Sequence, residues 1–242
     1  MVVGMTEAIF YSSLTGLSTL IGSMVVLSFS LTKKMIASFL GISAGVMLTV
    51  AYTTMLPTAF TQGGFPHLWM GMILAILTMV LLHLLPFSKV EEEGDSSHFA
   101  RLGFFLALAV ALHNAPEGVA IGIGFKTAEQ MGHTLVLAMV IHNIPEGIGL
   151  AAPLIAAGRH PFIILVTSLF CAATLPLGTW VGMNYLASST DAVSIGLVFA
   201  ATTMIWIVVC EICPKAFSLD KRNALVGLGI GTLFMYIIHL FH

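Results

Sequence analysis

Apolar residues follow one another along this chain in long runs, and the polar residues between them are gathered into short breaks. A helix needs about 20 predominantly apolar residues to cross roughly 30 Å of hydrocarbon. Eight runs meet that requirement, at residues 7–31, 35–60, 68–86, 101–124, 131–157, 161–187, 192–217 and 223–242. The pattern predicts an all-α integral membrane protein with eight transmembrane helices, forming one transmembrane domain over residues 1–242. Composition agrees, because 58% of the residues are hydrophobic and only 8% are charged, whereas soluble domains run near 25% charged.

The few charges set the orientation. In short loops, Lys and Arg stay on the cytoplasmic side. With eight spans, Lys33, Lys34, Lys89, Arg101, Arg159, Lys215, Lys221 and Arg222 all fall in one set of alternate connections, and Lys126 alone in the other. Both termini are therefore expected outside. The first span lacks a basic segment before it and is expected to stay as an anchor rather than be cleaved. Net charge of −2 and the lack of a basic patch or phosphate-binding glycine loop argue against a nucleic-acid partner. Cys171, Cys210 and Cys213 lie within spans, so no disulfide framework is indicated. The polar stretch from Phe87 to Ala100 reads as a flexible cytoplasmic linker, whose carboxylates and His98 could also collect metal.

A repeat carries the chemistry. At an offset of 29 residues, His113-Asn114-Ala115-Pro116-Glu117-Gly118 matches His142-Asn143-Ile144-Pro145-Glu146-Gly147 at all positions but one. The copies lie on consecutive, oppositely directed helices, and each falls about 16 to 24 Å along its span at 1.5 Å per residue, in the middle of the bilayer. His, Asn and Glu share one helix face in each copy, because they are three and four residues apart. Pro116 and Pro145 leave the carbonyls of Leu112 and Ile141 without their helical donors. Gly118 and Gly122, and Gly147 and Ala151, have the spacing that lets helix backbones approach closely.

An ionised carboxylate at mid-membrane costs about 2.5 to 3.5 kcal/mol on the most lenient scales. Two are present, with no Lys or Arg at that depth, so a cation or a proton must offset them. Imidazole, amide and carboxylate donors together suit zinc, iron, manganese or cobalt and are too rich in nitrogen for calcium or magnesium. A proton-sharing Glu–His network that only packs helices is the plainer alternative. The candidate metal ligands are thus His113, Asn114, Glu117, His142, Asn143 and Glu146.

A weaker self-similarity at an offset of 157 pairs Leu40, Ala44, Met47, Pro57, Ala59 and Phe60 with Leu197, Ala201, Met204, Pro214, Ala216 and Phe217. The two helices run in opposite directions, which is the mark of an inverted repeat. Glu211, between Cys210 and Cys213, reads either as a relay for metal on its way to the cytoplasm or as the partner of Lys215. His83, His239 and His242 read as interfacial, and His133 and His160 as residues of the two mouths.

These residues resemble the ZIP family of metal-ion transporters, in particular its bacterial GufA-type members, over the whole chain. The resemblance implies transport of zinc, and of iron, manganese, cobalt or cadmium, across a bacterial cytoplasmic (inner) membrane into the cytoplasm, with no resident cofactor. It implies two adjacent ion positions, one on Asn114, Glu117, Asn143 and Glu146 and one on His113, Glu117, His142 and Glu146, with the glutamates bridging. It also implies a 3+2+3 helix arrangement in which helices 1, 4, 5 and 6 move against helices 2, 3, 7 and 8 in elevator fashion. The chain departs from the family at Leu175, where helix 6 usually carries a glutamate, and Cys171 is a candidate accessory ligand one turn earlier. Thr54, Thr58 and Lys215 also stand where acids are common in the family.

A metal sensor or a channel would use the same ligands. An intramembrane metalloenzyme is disfavoured, because neither His-Glu-x-x-His nor Glu-x-x-His occurs. The expected partners are divalent metal ions, the lipid bilayer and, for a homodimer, a second copy of the chain.

Overall fold

The computed structural model describes residues 4–84, 95–127, 129–186 and 189–240, and every regular element among them is helical. These are α1 (Met5–Leu27), α2 (Lys33–Val50), α3 (Leu56–Leu84), α4 (Asp95–Thr127), α5 (Glu129–Ala156), α6 (Pro161–Val181), α7 (Thr190–Ile207) and α8 (Cys213–Leu240). Local chemistry sets their starts. The side chains of Thr32, His160 and Ser189 accept the backbone N–H groups of Met35, Phe162 and Ala192, and so satisfy amides that a helix start leaves unpaired. His160, expected at a mouth, is thus the cap of α6, ahead of Pro161 in its first turn.

Six continuous helical stretches are long and apolar enough to cross a membrane. Two of them, Lys33–Leu84 and Thr190–Leu240, run for 52 and 51 residues, and each is broken once. Gly64 breaks the first with φ 69°, a conformation in which a β-carbon is strained. Asp220 breaks the second in an extended conformation, and its carboxylate accepts the Asn223 N–H at 3.0 Å to start the helix again.

The offset-157 repeat is written into the backbone. α2 and α7 each have 18 residues, each is followed by a five-residue π-turn (Ala51–Met55 and Val208–Ile212), and α3 and α8 follow directly. Every one of these starts is offset by 157 residues, as the sequence matches are. Proline explains the turns. Pro57 and Pro214 have no N–H to give to the carbonyls four residues back, and the ladder slips instead to the wider bonds Leu56 N–H to Ala51 and Cys213 N–H to Val208.

Glycines assemble the helices in parallel pairs. Gly41 and Gly45 of α2 face Ala224 and Leu228 of α8, while Gly227 and Gly231 return the contact onto Ser38 and Ile42. Gly118 and Gly122 of α4 face Leu175 and Thr179 of α6, and Gly178 and Gly182 face Ala115 and Val119. α1 and α5 meet through Gly22 against Ile144 and Gly147 against Thr19. The glycines of the two motifs therefore clasp α6 and α1, not each other, although α4 and α5 also touch. α2, α3, α7 and α8 pack mainly among themselves, as do α1, α4, α5 and α6; the two groups meet chiefly where α4 touches α7 and α5 touches α2.

The start of α4 differs from expectation. α4 begins at Asp95 rather than Arg101, because Phe99 and Ala100 are buried and the Ser96 hydroxyl donates to the Ala157 carbonyl at 3.0 Å. The acidic part of the linker expected over Phe87 to Ala100, with Lys89, lies outside the described residues, as does His242.

Gly227 and Gly229 provide a paired test of the clasp. A side chain at Gly227 would meet the Ser38 backbone, whereas nothing lies within 4 Å of one at Gly229. Gly227→Val is expected to cost about 1–3 kcal/mol through overpacking and to lower the melting temperature in detergent. Gly229→Val should leave the melting temperature close to that of the parent protein.

Candidate metal centre

The repeated motifs face one another across α4 and α5 in the interior. His113, Asn114, Glu117, His142 and Asn143 are fully buried and Glu146 is 2% exposed. Each motif is held by its own helix and by one neighbour. The Nδ1 atoms of His113 and His142 lie 3.0 and 3.2 Å from the carbonyls of Ala109 and Ala138, one turn back. An imidazole that donates there turns Nε2 toward the centre, which is how a protein orients a metal-binding histidine. The Asn114 amide donates to the Cys171 carbonyl of α6 at 3.4 Å, and the Asn143 amide to the Thr15 carbonyl of α1 at 3.2 Å. Both oxygens Oδ1 are left free to face elsewhere.

The motifs are joined by two crossed pairs. His113 Nε2 lies 3.1 Å from Glu146 Oε2, and His142 Nε2 lies 3.6 Å from Glu117 Oε1. Only the first is a hydrogen bond. Asn114 Oδ1, Asn143 Oδ1, both Glu117 oxygens, Glu146 Oε1 and His142 Nε2 have no hydrogen-bond partner. Buried polar atoms are almost always paired. Here six unpaired donor atoms come from two motifs on adjoining helices, and all six are electron-pair donors. No group of three or more His, Cys, Asp or Glu side chains among the described residues is drawn tightly enough together to hold an ion as it stands. The donors are in reach of one another only in pairs across the helices.

Leu175 is fully buried, with its carbonyl against Gly118. The Cys171 thiol donates to the Ala107 carbonyl at 3.1 Å. Glu211 is bound by a residue the sequence did not connect with it: its Oε1 lies 2.7 Å from His83 Nε2 of α3. Lys215 instead sits over the Phe99 ring, 4.0 Å from its centroid. His83, expected at an interface, is half-buried between Glu211, Phe105 and Trp206. Nothing in the spacing pairs residues 83 and 211, since the π-turn at Val208–Ile212 sets the direction of Glu211.

The His83–Glu211 pair lines a cavity of about 390 Å³ that also touches His98, Arg101, Cys210 and Lys215. Of its lining residues on α4, Phe105 is the nearest to the motif, about 12 Å from His113 along the helix. Beside His142, between Thr54, Thr58 and Leu197, there is only about 10 Å³ of free space, room for about one water. His133 packs edge-on against Tyr11 and Phe125, with Glu129 3.9 Å away.

Comparison with known proteins identifies the family. The family model described as ZIP Zinc transporter matches residues 86–239, which include both motifs. The curated protein "Zinc transporter ZupT" of Chlorobaculum parvum is 31% identical, over 94% of this chain and 94% of its own length. Its namesakes in Salmonella paratyphi A and Streptococcus mutans are 31% and 30% identical, over 97% and 95% of this chain and 98% and 95% of their own. With a repeated buried donor set inside membrane-length helices, and relatives matched along nearly the whole chain, this protein belongs to the ZIP family of zinc transporters.

Proposed function

We propose that the chain carries divalent transition-metal ions, zinc foremost, across the bacterial cytoplasmic membrane into the cytoplasm, through an ion site built between α4 and α5. The observation that carries this reading is the set of six unpaired donor atoms, all electron-pair donors, buried in the two motifs. A divalent cation would offset both carboxylates and take the free Asn oxygens and the His142 nitrogen as ligands. Binding would draw the donors inward to the roughly 2.0–2.2 Å of zinc–nitrogen and zinc–oxygen bonds. One position uses Asn114, Glu117, Asn143 and Glu146, and a second uses His113, His142 and the same glutamates. Leu175 offers the second position nothing from α6, and Cys171, held by Ala107, is at most an accessory.

The two 51- and 52-residue stretches support eight spans. Unbroken, each would be about 75–78 Å long at 1.5 Å per residue, more than twice the hydrocarbon thickness. Breaks at Gly64 and Asp220 divide each into two membrane lengths. In a 3+2+3 arrangement, α2, α3, α7 and α8 form a frame, and α1, α4, α5 and α6 slide against it as an elevator. The separate packing of the two groups supports that division. The face that carries Arg101 and Lys215 is the cytoplasmic one, with both termini outside. The cavity on that face would give the ion a way out to the cytoplasm. His83 and Glu211 would hand the ion on.

An inside-negative potential favours inward movement of a double charge by about 4.6 kcal/mol per 100 mV, so uptake needs no nucleotide. The test is zinc uptake by proteoliposomes with an imposed inside-negative potential. Saturable uptake is expected; flux at the empty-liposome rate for zinc, iron and manganese alike would overturn the reading, and flux that never saturates would favour a channel. Glu117→Ala and Glu146→Ala should each abolish high-affinity zinc binding. Because the ligands must be deprotonated, zinc affinity should fall as the pH is lowered from 7.5 to 5.5, measured by equilibrium binding in detergent.

A further inference from the structure

The site has a side that the repeated motifs do not account for. Each motif helix is clasped by one neighbour, and the two clasps are equivalent. On α6, the Cys171 carbonyl takes the Asn114 amide, and four residues later the Leu175 carbonyl sits on Gly118. On α1, the Thr15 carbonyl takes the Asn143 amide, and four residues later the Thr19 carbonyl sits on Gly147. Both pairs of equivalent residues are 156 positions apart, one short of the 157 that relates α2 to α7. Thr19 therefore stands to Glu146–Gly147 as Leu175 stands to Glu117–Gly118. At one position the side chain is an inert isobutyl group; at the other it is a hydroxyl.

That hydroxyl is anomalous within its own helix. α1 has five buried hydroxyl residues. Ser12, Thr15 and Ser18 donate back to the carbonyls of Ile9, Tyr11 and Thr15, and Ser23 donates across to Gly147. Thr19 is fully buried and its Oγ1 has no partner. The cause is visible: the carbonyl that a helical Thr ordinarily uses, four residues back, is that of Thr15, which already accepts the Ser18 hydroxyl at 2.6 Å and the Asn143 amide at 3.2 Å. An apolar residue would fill this place without leaving a buried polar atom unmatched.

We propose that Thr19 is a positioning residue of the ion site: its hydroxyl binds the water that the ion keeps when it is held by Asn143 and Glu146, and it completes from α1 the polar shell that Leu175 leaves open on α6. This rests on the ion site proposed above. The site is then lopsided. An ion on Asn143 and Glu146 has hydroxyl and water on its α1 side, and one leaning toward Glu117 meets the Leu175 side chain at the equivalent place on α6.

The test is equilibrium zinc binding to the purified full-length protein by calorimetry, with thermal melts of the ion-free protein, for Thr19→Val, Thr19→Ser and Glu146→Ala. Thr19→Val keeps the shape and removes the hydroxyl. It should weaken zinc binding about tenfold, the lower end of what loss of an outer contact to a metal site costs, while the ion-free melting temperature stays level or rises. Thr19→Ser restores the hydroxyl and should bind within about twofold of the parent. Parental zinc affinity in Thr19→Val would overturn the proposal and make Thr19 a packing residue. Parental affinity in Glu146→Ala would overturn the site beneath it, and this inference with it. If Thr19→Val does not fold, Thr19→Ala takes its place: weakened binding rescued in Thr19→Ser supports the role, and unchanged binding refutes it.

Discussion

Two carboxylates in a dry, apolar interior are the constraint on which the rest of this structure depends. Glu117 and Glu146 are buried with no Lys or Arg paired to them among the described residues, and three of their four oxygens are without a hydrogen-bond partner there. No packing arrangement of hydrocarbon can offset such groups. What the fold supplies instead is a set of donors that leaves most of the carboxylate oxygens unmet: imidazoles turned inward by backbone carbonyls, of which only His113 comes within hydrogen-bond distance of a carboxylate oxygen, and amides whose N–H groups are spent on α1 and α6. Such an interior is complementary to a positive charge, which is what the proposed ion site requires.

Glycine makes this arrangement buildable. A polar cluster on two helices must be walled off on every side, and the walls must come close enough for backbone carbonyls to serve the cluster. The contacts at Gly118 and Gly147 bring the backbones of α6 and α1 against the motif helices at the level of the glutamates. The same device joins α2 to α8, away from the site, which indicates that small residues are the general means of helix association here, as expected where lipid removes the hydrophobic drive. The internal repeat then applies one solution twice. Prolines at positions 57 and 214 produce matching π-turns, and the differences between the halves, such as Thr54 against Glu211 and Thr19 against Leu175, are where the two sides of the molecule acquire different chemistry.

Much of this was legible in the residues. The two motifs, their burial and their mutual approach follow from spacing and from the cost of charge in lipid. The offset-157 similarity, slight as a set of apolar matches, is repeated residue for residue by helix starts and π-turns. Other features depended on facts that periodicity does not hold. Small-residue spacing marks Gly118 and Gly147 as sites of close approach but does not say to which helix. The pairing of Glu211 with His83 instead of Lys215 arises from a π-turn that rotates the side chain. Thr19 could not be distinguished from the other hydroxyl residues of α1, since its isolation depends on which donors reach the Thr15 carbonyl.

The central claim is that a divalent cation sits between α4 and α5. Anomalous scattering at the zinc edge, from crystals of the zinc-loaded protein, tests it most directly. The account predicts a peak within bonding distance of Glu117 and Glu146, flanked by the oxygens of Asn114 and Asn143. A zinc peak confined to the His83–Glu211 cavity or to the surface, with none between the two motifs, would contradict it.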